Sequence, residues 1–230
     1  MQGPDAWAEQ YGAVFAEFET IARREDVQYL YEGGPSLEEK LKGWRDSVRV
    51  KQSLLQIKEG EVTIRPLAPE WRFATDPKDA GVKGNWFAVG LDDSQWATVR
   101  SDKGNGWEAQ GFADYLGLGW YRQQITLPTK PARKHAYLYF GAVDEDALVY
   151  LNGQQAFEHS CASTGLSPDQ IWNTPFVFDA AGKLRPGQSN TLAVRVLNRL
   201  GMGGIYLPVY LVLSDHELDA PLIQALLARR

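Results

Sequence analysis

The segment Gly119-Trp120-Tyr121-Arg122-Gln123-Gln124-Ile125-Thr126-Leu127-Pro128 decides how the remainder of the chain is read. Tyr121, Ile125 and Leu127 fall on one side and Arg122, Gln124 and Thr126 on the other, the period-two spacing of a half-buried strand, and Pro128 ends it. Residues 136–140 and 147–151 repeat the alternation around the polar stretch 141–146. Asn152-Gly153, a dipeptide suited to two consecutive positive φ angles, then turns the chain back into 155–158. A β-meander is predicted.

The same period runs outward in both directions. Upstream, 62–65 and 71–74 read as strands parted by Pro66 and Pro69, residues that belong at edges or bends. Residues 76–85 read as a loop, and Asp92-Asp93-Ser94 as a turn that delivers Trp96 to the next short strand. Downstream, 175–178, 191–197 and 205–213 complete the set. In the last, Ile205, Leu207, Val209, Leu211 and Leu213 alternate with Tyr206, Tyr210 and Val212, so both faces are predicted to be buried. About ten strands at irregular spacing make a mainly β, antiparallel two-sheet sandwich.

Two helices are expected ahead of it. Trp7, Tyr11, Val14, Phe15, Phe18, Ile21 and Ala22 follow a helical period over 5–27, and Gly33-Gly34-Pro35 breaks the chain. Ser36-Leu37-Glu38-Glu39 then reads as a capping box opening a second helix, with Leu37, Leu41, Trp44, Val48 and Leu55 on one face. The expected organisation is an N-terminal helical hairpin over 1–58, a sandwich over 59–215 and a helical tail over 216–230.

Composition narrows the function classes. The net charge of −5 gives no reason to expect nucleic acid or an anionic membrane as partner, since either would favour a basic face. One cysteine, Cys161, leaves no intrachain disulfide, and His135, His159 and His216 are not at ligand spacing, so no zinc site is expected. No stretch approaches a membrane span and no leader pattern opens the chain, which leaves the compartment open.

Six motifs in order carry a resemblance: L-D-D-S-Q-W-A-T-V, W-E-A-Q-G, G-W-Y-R, F-G-A-V-D-E-D-A-L-V-Y-L-N-G, N-T-L-A-V-R-V and G-G-I-Y-L-P-V. Together, over roughly residues 62–214, they resemble the sugar-binding jelly-roll domain of family 2 glycoside hydrolases, a galactose-binding-domain-like sandwich. The resemblance implies that Trp86 and Trp96 are core residues, and that the domain is non-catalytic, binds carbohydrate and accompanies a catalytic barrel. A calcium ion, structural rather than catalytic, occurs in related sandwiches. In some relatives the domain lends an Asn and an Asp to the barrel's active site; the aligned positions here are Gly106 and Gly141, so both side chains are missing.

If that topology holds, the loops 101–118, 141–147, 159–174 and 198–204 reach one rim. Sugar recognition needs a flat apolar surface for ring C–H faces beside planar polar groups for hydroxyls. The carbohydrate-binding candidates are Trp107, Glu108, Asp144, Trp172, Asn173, Asn198 and Arg199, with Glu145, Asp146 and His159 also on those loops. Each has a plainer reading. Trp107 can plug the sandwich end, Glu108 can accept backbone N–H groups, and residues 144–146 can be solvated turn acids. The functional alternative is a purely structural or interaction module.

Overall fold

The computed structural model describes residues 37–129 and 133–229, together with Ala13, Val14, Ala16, Glu17, Thr20 and Ile21, which are helical. The rest of the predicted helix over 5–27, the break at 33–35 and Ser36 lie outside the described residues. The chain divides into two compact units, Met1–Gly60 with Pro221–Arg230, and Glu61–Ala220.

In the first unit α1 spans Leu37–Gln56. It buries Leu41 and Leu54, while Trp44 and Leu55 stand 51% and 43% exposed. The predicted face was read in register with Leu55; the chain turns Leu54 inward instead. A C-terminal helix, Ala220–Leu227, buries Leu222 and Ile223.

The second unit is the predicted antiparallel sandwich. One sheet runs β1 (Val62–Pro66), β12 (Val209–Ser214), β5 (His135–Phe140), β9 (Phe176–Asp179) in spatial order. The other runs β3 (Ala97–Arg100), β2 (Glu70–Thr75), β4 (Gly117–Thr126), β10 (Ser189–Asn198), β7 (Asp146–Leu151), β8 (Gln154–His159). A small third ladder pairs β11 (Gly204–Ile205) with β6 (Val143–Asp144). Asn152 and Gly153 join β7 to β8 with φ of 51° and 84°, the doubly left-handed turn this dipeptide favours.

Register fixes the core. Phe73, Tyr121, Val194, Val149 and Phe157 oppose one another across five strands, forming one inward row. With Leu138, Phe140, Phe176 and Leu211 of the four-stranded sheet they join a single apolar cluster. Each such buried side chain contributes roughly 1.5–3 kcal/mol relative to exposure.

The outward row is expected to be wet; Gln124 and Thr126 are exposed, but the half at Trp120 and Arg122 is dry. Trp120 is 0% and Arg122 1% exposed, because residues 76–96 cover this face. Trp86, Phe87 and Trp96, all half-buried, pack on Trp120, Tyr150 and Ala193, and the Phe87 and Tyr150 rings stack at 4.5 Å. Polar groups fasten the cover at both ends. Asp76 accepts Trp120 Nε1 at 3.0 Å and the N–H groups of Ala80 and Gly81. Arg122 donates Nε to Asp93 at 2.8 Å and its two terminal nitrogens to the carbonyls of Trp86 and Ala88 at 2.6 and 3.1 Å. A Cβ on Gly81 would fall 2.3 Å from Trp120 Nε1, so glycine is required there.

The predicted strand over 205–213 is broken into β11 and β12. Pro208 has no N–H for a ladder, and Leu207 turns outward to 39% exposure. Tyr206 is thereby released from the sheet.

Replacing Arg122 with Met removes one guanidinium and leaves the Asp93 carboxylate and two carbonyls without their donor. A loss of about 3–5 kcal/mol is expected by urea unfolding. Arg122→Lys should recover less than half of it, because one ammonium lacks the planar fork.

Candidate functional site

All four predicted loops contribute to one cleft of about 300 Å³, lined by segments 104–106, 144–145, 168–172 and 200–206. One wall comes from the second of two short helices and the residue that follows it. Ser160 caps α2 (Cys161–Thr164) through a reciprocal bond pair with Ser163, and α3 (Pro168–Ile171) anchors itself by burying Ile171. Trp172 follows directly. Its Nε1 donates to the Asp169 carbonyl at 3.1 Å, and its own carbonyl accepts the Tyr206 hydroxyl at 2.8 Å. The two rings lie 6.0 Å apart and 25° from parallel, with Trp172 41% exposed.

Asp144 supplies the cleft's chemistry. Its side chain is 9% exposed and has no hydrogen-bond or ion-pair partner among the described residues. Burial, then the charges of Glu145 and Glu108, push its carboxyl up to about 7. Burial and then Asp144 push the Tyr206 phenol up to about 12. Asn105, also on the cleft, has a buried Oδ1 without a partner.

The other candidates shape the site rather than line it. Trp107 is 0% exposed, so its ring cannot serve as a stacking platform: it plugs the sandwich end, with Nε1 donating to Tyr115 O at 3.0 Å and its N–H to Gly203 O at 3.0 Å. Glu108 accepts the Gly203 N–H at 2.9 Å and the Asn198 amide at 3.0 Å. Asn198, 1% exposed, is thus committed to the 201–204 turn. Arg199 is equally occupied. It donates from its backbone and its guanidinium to Glu145, at 3.2 and 3.1 Å, and from its second terminal nitrogen to Asp146. The bond to Asp146, opposed by burial, raises the guanidinium pKa. Burial works to raise Asp146, but the Arg199 and Cys161 N–H bonds outweigh it and hold the carboxyl below the usual range. Asn173 is exposed beside Trp172 without lining the cleft. His159 is 4% exposed and stacked on Phe176 at 4.4 Å, and burial lowers its pKa.

Gly106 and Gly141 have little room for the missing side chains. A Cβ at Gly106 would meet Glu108 Oε2 at 2.3 Å and Gly203 O at 2.5 Å, and one at Gly141 would meet Leu207 Cβ at 2.9 Å. The residue that sequence reasoning missed is Tyr206; Pro208, two places on, was the signal that the strand would break. For the calcium ion, no three His, Cys, Asp or Glu side chains gather as metal ligands among the described residues.

No protein-family model matches the chain. It is 25% identical to a β-glucuronidase of Paenibacillus borealis over 137 residues, 60% of this chain and 21% of that protein. It is 26% identical to a β-glucuronidase of Formosa agariphila over 157 residues, 63% of this chain and 14% of that one. Its fold matches that of the β-glucuronidase from Ruminococcus gnavus, solved in complex with D-glucaro-d-lactam, with a TM-score of 0.57 at 19% identity, covering 69% of this chain and 30% of the other. The chain therefore spans about a fifth or less of its curated relatives. It carries a β-sandwich of the glycoside hydrolase family 2 type.

Two substitutions separate framework from site. Glu108→Ala strips the acceptor from Gly203 N–H and Asn198, and should cost about 2 kcal/mol in chemical denaturation. Asp144→Asn should do the reverse. A carboxyl raised by folding favours the folded state while protonated, and that contribution is lost as pH climbs from the unfolded value near 4 through about 7. Thermal melts of the variant should therefore match those of the parent near pH 4, then gain up to roughly 1–2 kcal/mol by pH 8, an amount kept small by the open cleft.

Proposed function

We propose that this chain is a non-catalytic carbohydrate-binding domain, of the galactose-binding-domain-like kind, within or derived from a glycoside hydrolase, and that it holds glycan in the 104–206 cleft. The observation that carries the reading is a solvent-facing Trp172 ring, braced by Tyr206, beside the buried and unengaged Asp144 carboxyl. An indole face rewards the C–H side of a pyranose, and a carboxyl without a partner rewards hydroxyl donors. Aromatic walls with a few convergent polar groups are the usual make-up of a small-ligand site.

The carboxyl inventory supports binding over hydrolysis. Bond cleavage between sugars needs two working carboxyls roughly 5–10 Å apart. Glu108 and Glu145 are each tied to structural donors, and Asp169 stands exposed on α3. Only Asp144 is both buried and unengaged among the acids of this cleft. That the curated relatives are β-glucuronidases several times longer than this chain supports an accessory domain whose catalytic barrel lies elsewhere.

A second reading has its own observation. Leu200 and Met202, on the cleft's edge, are 70% and 56% exposed, which suits a sandwich wedged against a neighbouring domain or a second copy. Intrinsic tryptophan fluorescence distinguishes the two. Titration with β-galactosides, cellulose-type oligomers and marine polysaccharides should shift the emission, and Trp172→Ala should weaken binding at least tenfold, about 1.4 kcal/mol. Silence across the panel together with self-association in solution would favour the structural module.

A further inference from the structure

We infer that the cleft sorts sugars by charge, taking neutral hexosides whose hydroxyls donate to Asp144 and turning away hexuronic acids. The inference rests on the glycan-binding reading above and gives it a substrate class. It also separates this chain from the whole enzymes it resembles, whose names specify a glucuronide.

The argument is one of available charge. Three lining residues are acidic, Asp144, Glu145 and Asp169, and no lining residue is Lys or Arg. Arg199, next in sequence to the lining Leu200, is spent on Glu145 and Asp146. Lys103, one residue outside the lining, is exposed and free to follow solvent. An incoming carboxylate would thus find no committed cation, and it would approach Asp144 where water is already thinned. Like charges repel more strongly there than at an open surface. It would also bring acceptors toward two acceptors that have no donor of their own, the Asp144 carboxylate and the buried Asn105 Oδ1. A hydroxyl reverses each of these terms, since it donates, carries no charge, and makes the stronger kind of hydrogen bond when its acceptor is ionised. Selectivity of this sort comes from a built-in penalty against the wrong ligand as much as from attraction to the right one.

The test uses matched pairs that differ only at C6: methyl β-glycosides of glucose, galactose and mannose, each beside its C6-carboxylate. Binding is read by fluorescence or calorimetry at pH 7.5 in 20 mM salt. The neutral member of whichever pair binds should be at least tenfold tighter. Asp144→Asn should narrow the gap to under threefold. Should that variant fold poorly, the parent protein at pH 5.5 supplies the same information, because Asp144, pushed up to about 7, is then largely protonated while the sugar carboxylates stay ionised, and the gap should shrink. A carboxylate that binds as tightly as its neutral partner, or more tightly, overturns the charge filter and leaves glycan binding standing. Silence from both arms of every pair overturns the glycan reading and the filter with it.

Discussion

A single buried cation holds the outer half of this domain in place. Arg122 sits on the face of a sheet that should have met water, and its guanidinium is desolvated almost completely. A charge so placed is tolerable only when its donors are satisfied, and Asp93 with the carbonyls of Trp86 and Ala88 satisfies them. The cover over residues 76–96 has no strand of its own, so its backbone cannot be secured by ladder bonds. It is secured by side chains reaching out from β4: Arg122 at one end and Trp120, through Asp76, at the other. The four residues of G-W-Y-R thereby divide their labour. Gly119 leaves space for the rings of Phe73 and Trp107, Trp120 and Arg122 hold the cover, and Tyr121 points inward to reach β11.

That inward reach connects the core to the cleft. A Cβ on Gly204 would stand 2.1 Å from the Tyr121 hydroxyl, so the 201–204 turn is pressed directly against the sandwich interior. Trp107 and Glu108 grip the same turn from the other side through Gly203. The cleft is therefore floored by backbone that the core fixes, and the large side chains it offers to solvent are few: Trp172, the half-buried Tyr206, Asp169 and the apolar edge at Leu200 and Met202. A rigid floor with a small number of outward groups is the arrangement in which binding energy is not spent on ordering the site.

Much of the architecture was legible in the sequence because sheet formation writes a period of two. Most of the strands, the Asn152-Gly153 turn and the meeting of four loops follow from that period and from the resemblance; the break at 206–208 does not. The site was legible less evenly. The loops predicted to gather at one rim bring Trp172 and Asp144 to the cleft. Trp107, Asn198 and Arg199 were read as ligand contacts because their residue types suit sugars, yet type says nothing of whether a partner within the chain has already claimed the group. Arg199 has two acidic partners 53 and 54 residues away, a pairing that no local pattern encodes. The buried outer face of β4 was missed for a related reason. Alternation tells which residues share a side, and only the path of a distant loop decides whether that side is dry.

The turn between β7 and β8 has a chemical side to it. Asparagine followed by glycine is the dipeptide most prone to lose its amide nitrogen by cyclisation, and the positive φ values that suit the hairpin require that pair. Here the Asn152 amide nitrogen donates to Lys183 O and to Asn190 Oδ1, while its oxygen accepts the N–H of Thr191. Those bonds hold the side-chain carbonyl carbon away from the Gly153 nitrogen that would attack it and expel ammonia, so deamidation has to wait for the hairpin to open. Were it to happen, a carboxylate would face two oxygens, and the hairpin would not close as before. Any such loss at residue 152 would run at a rate set by how often the hairpin lets go.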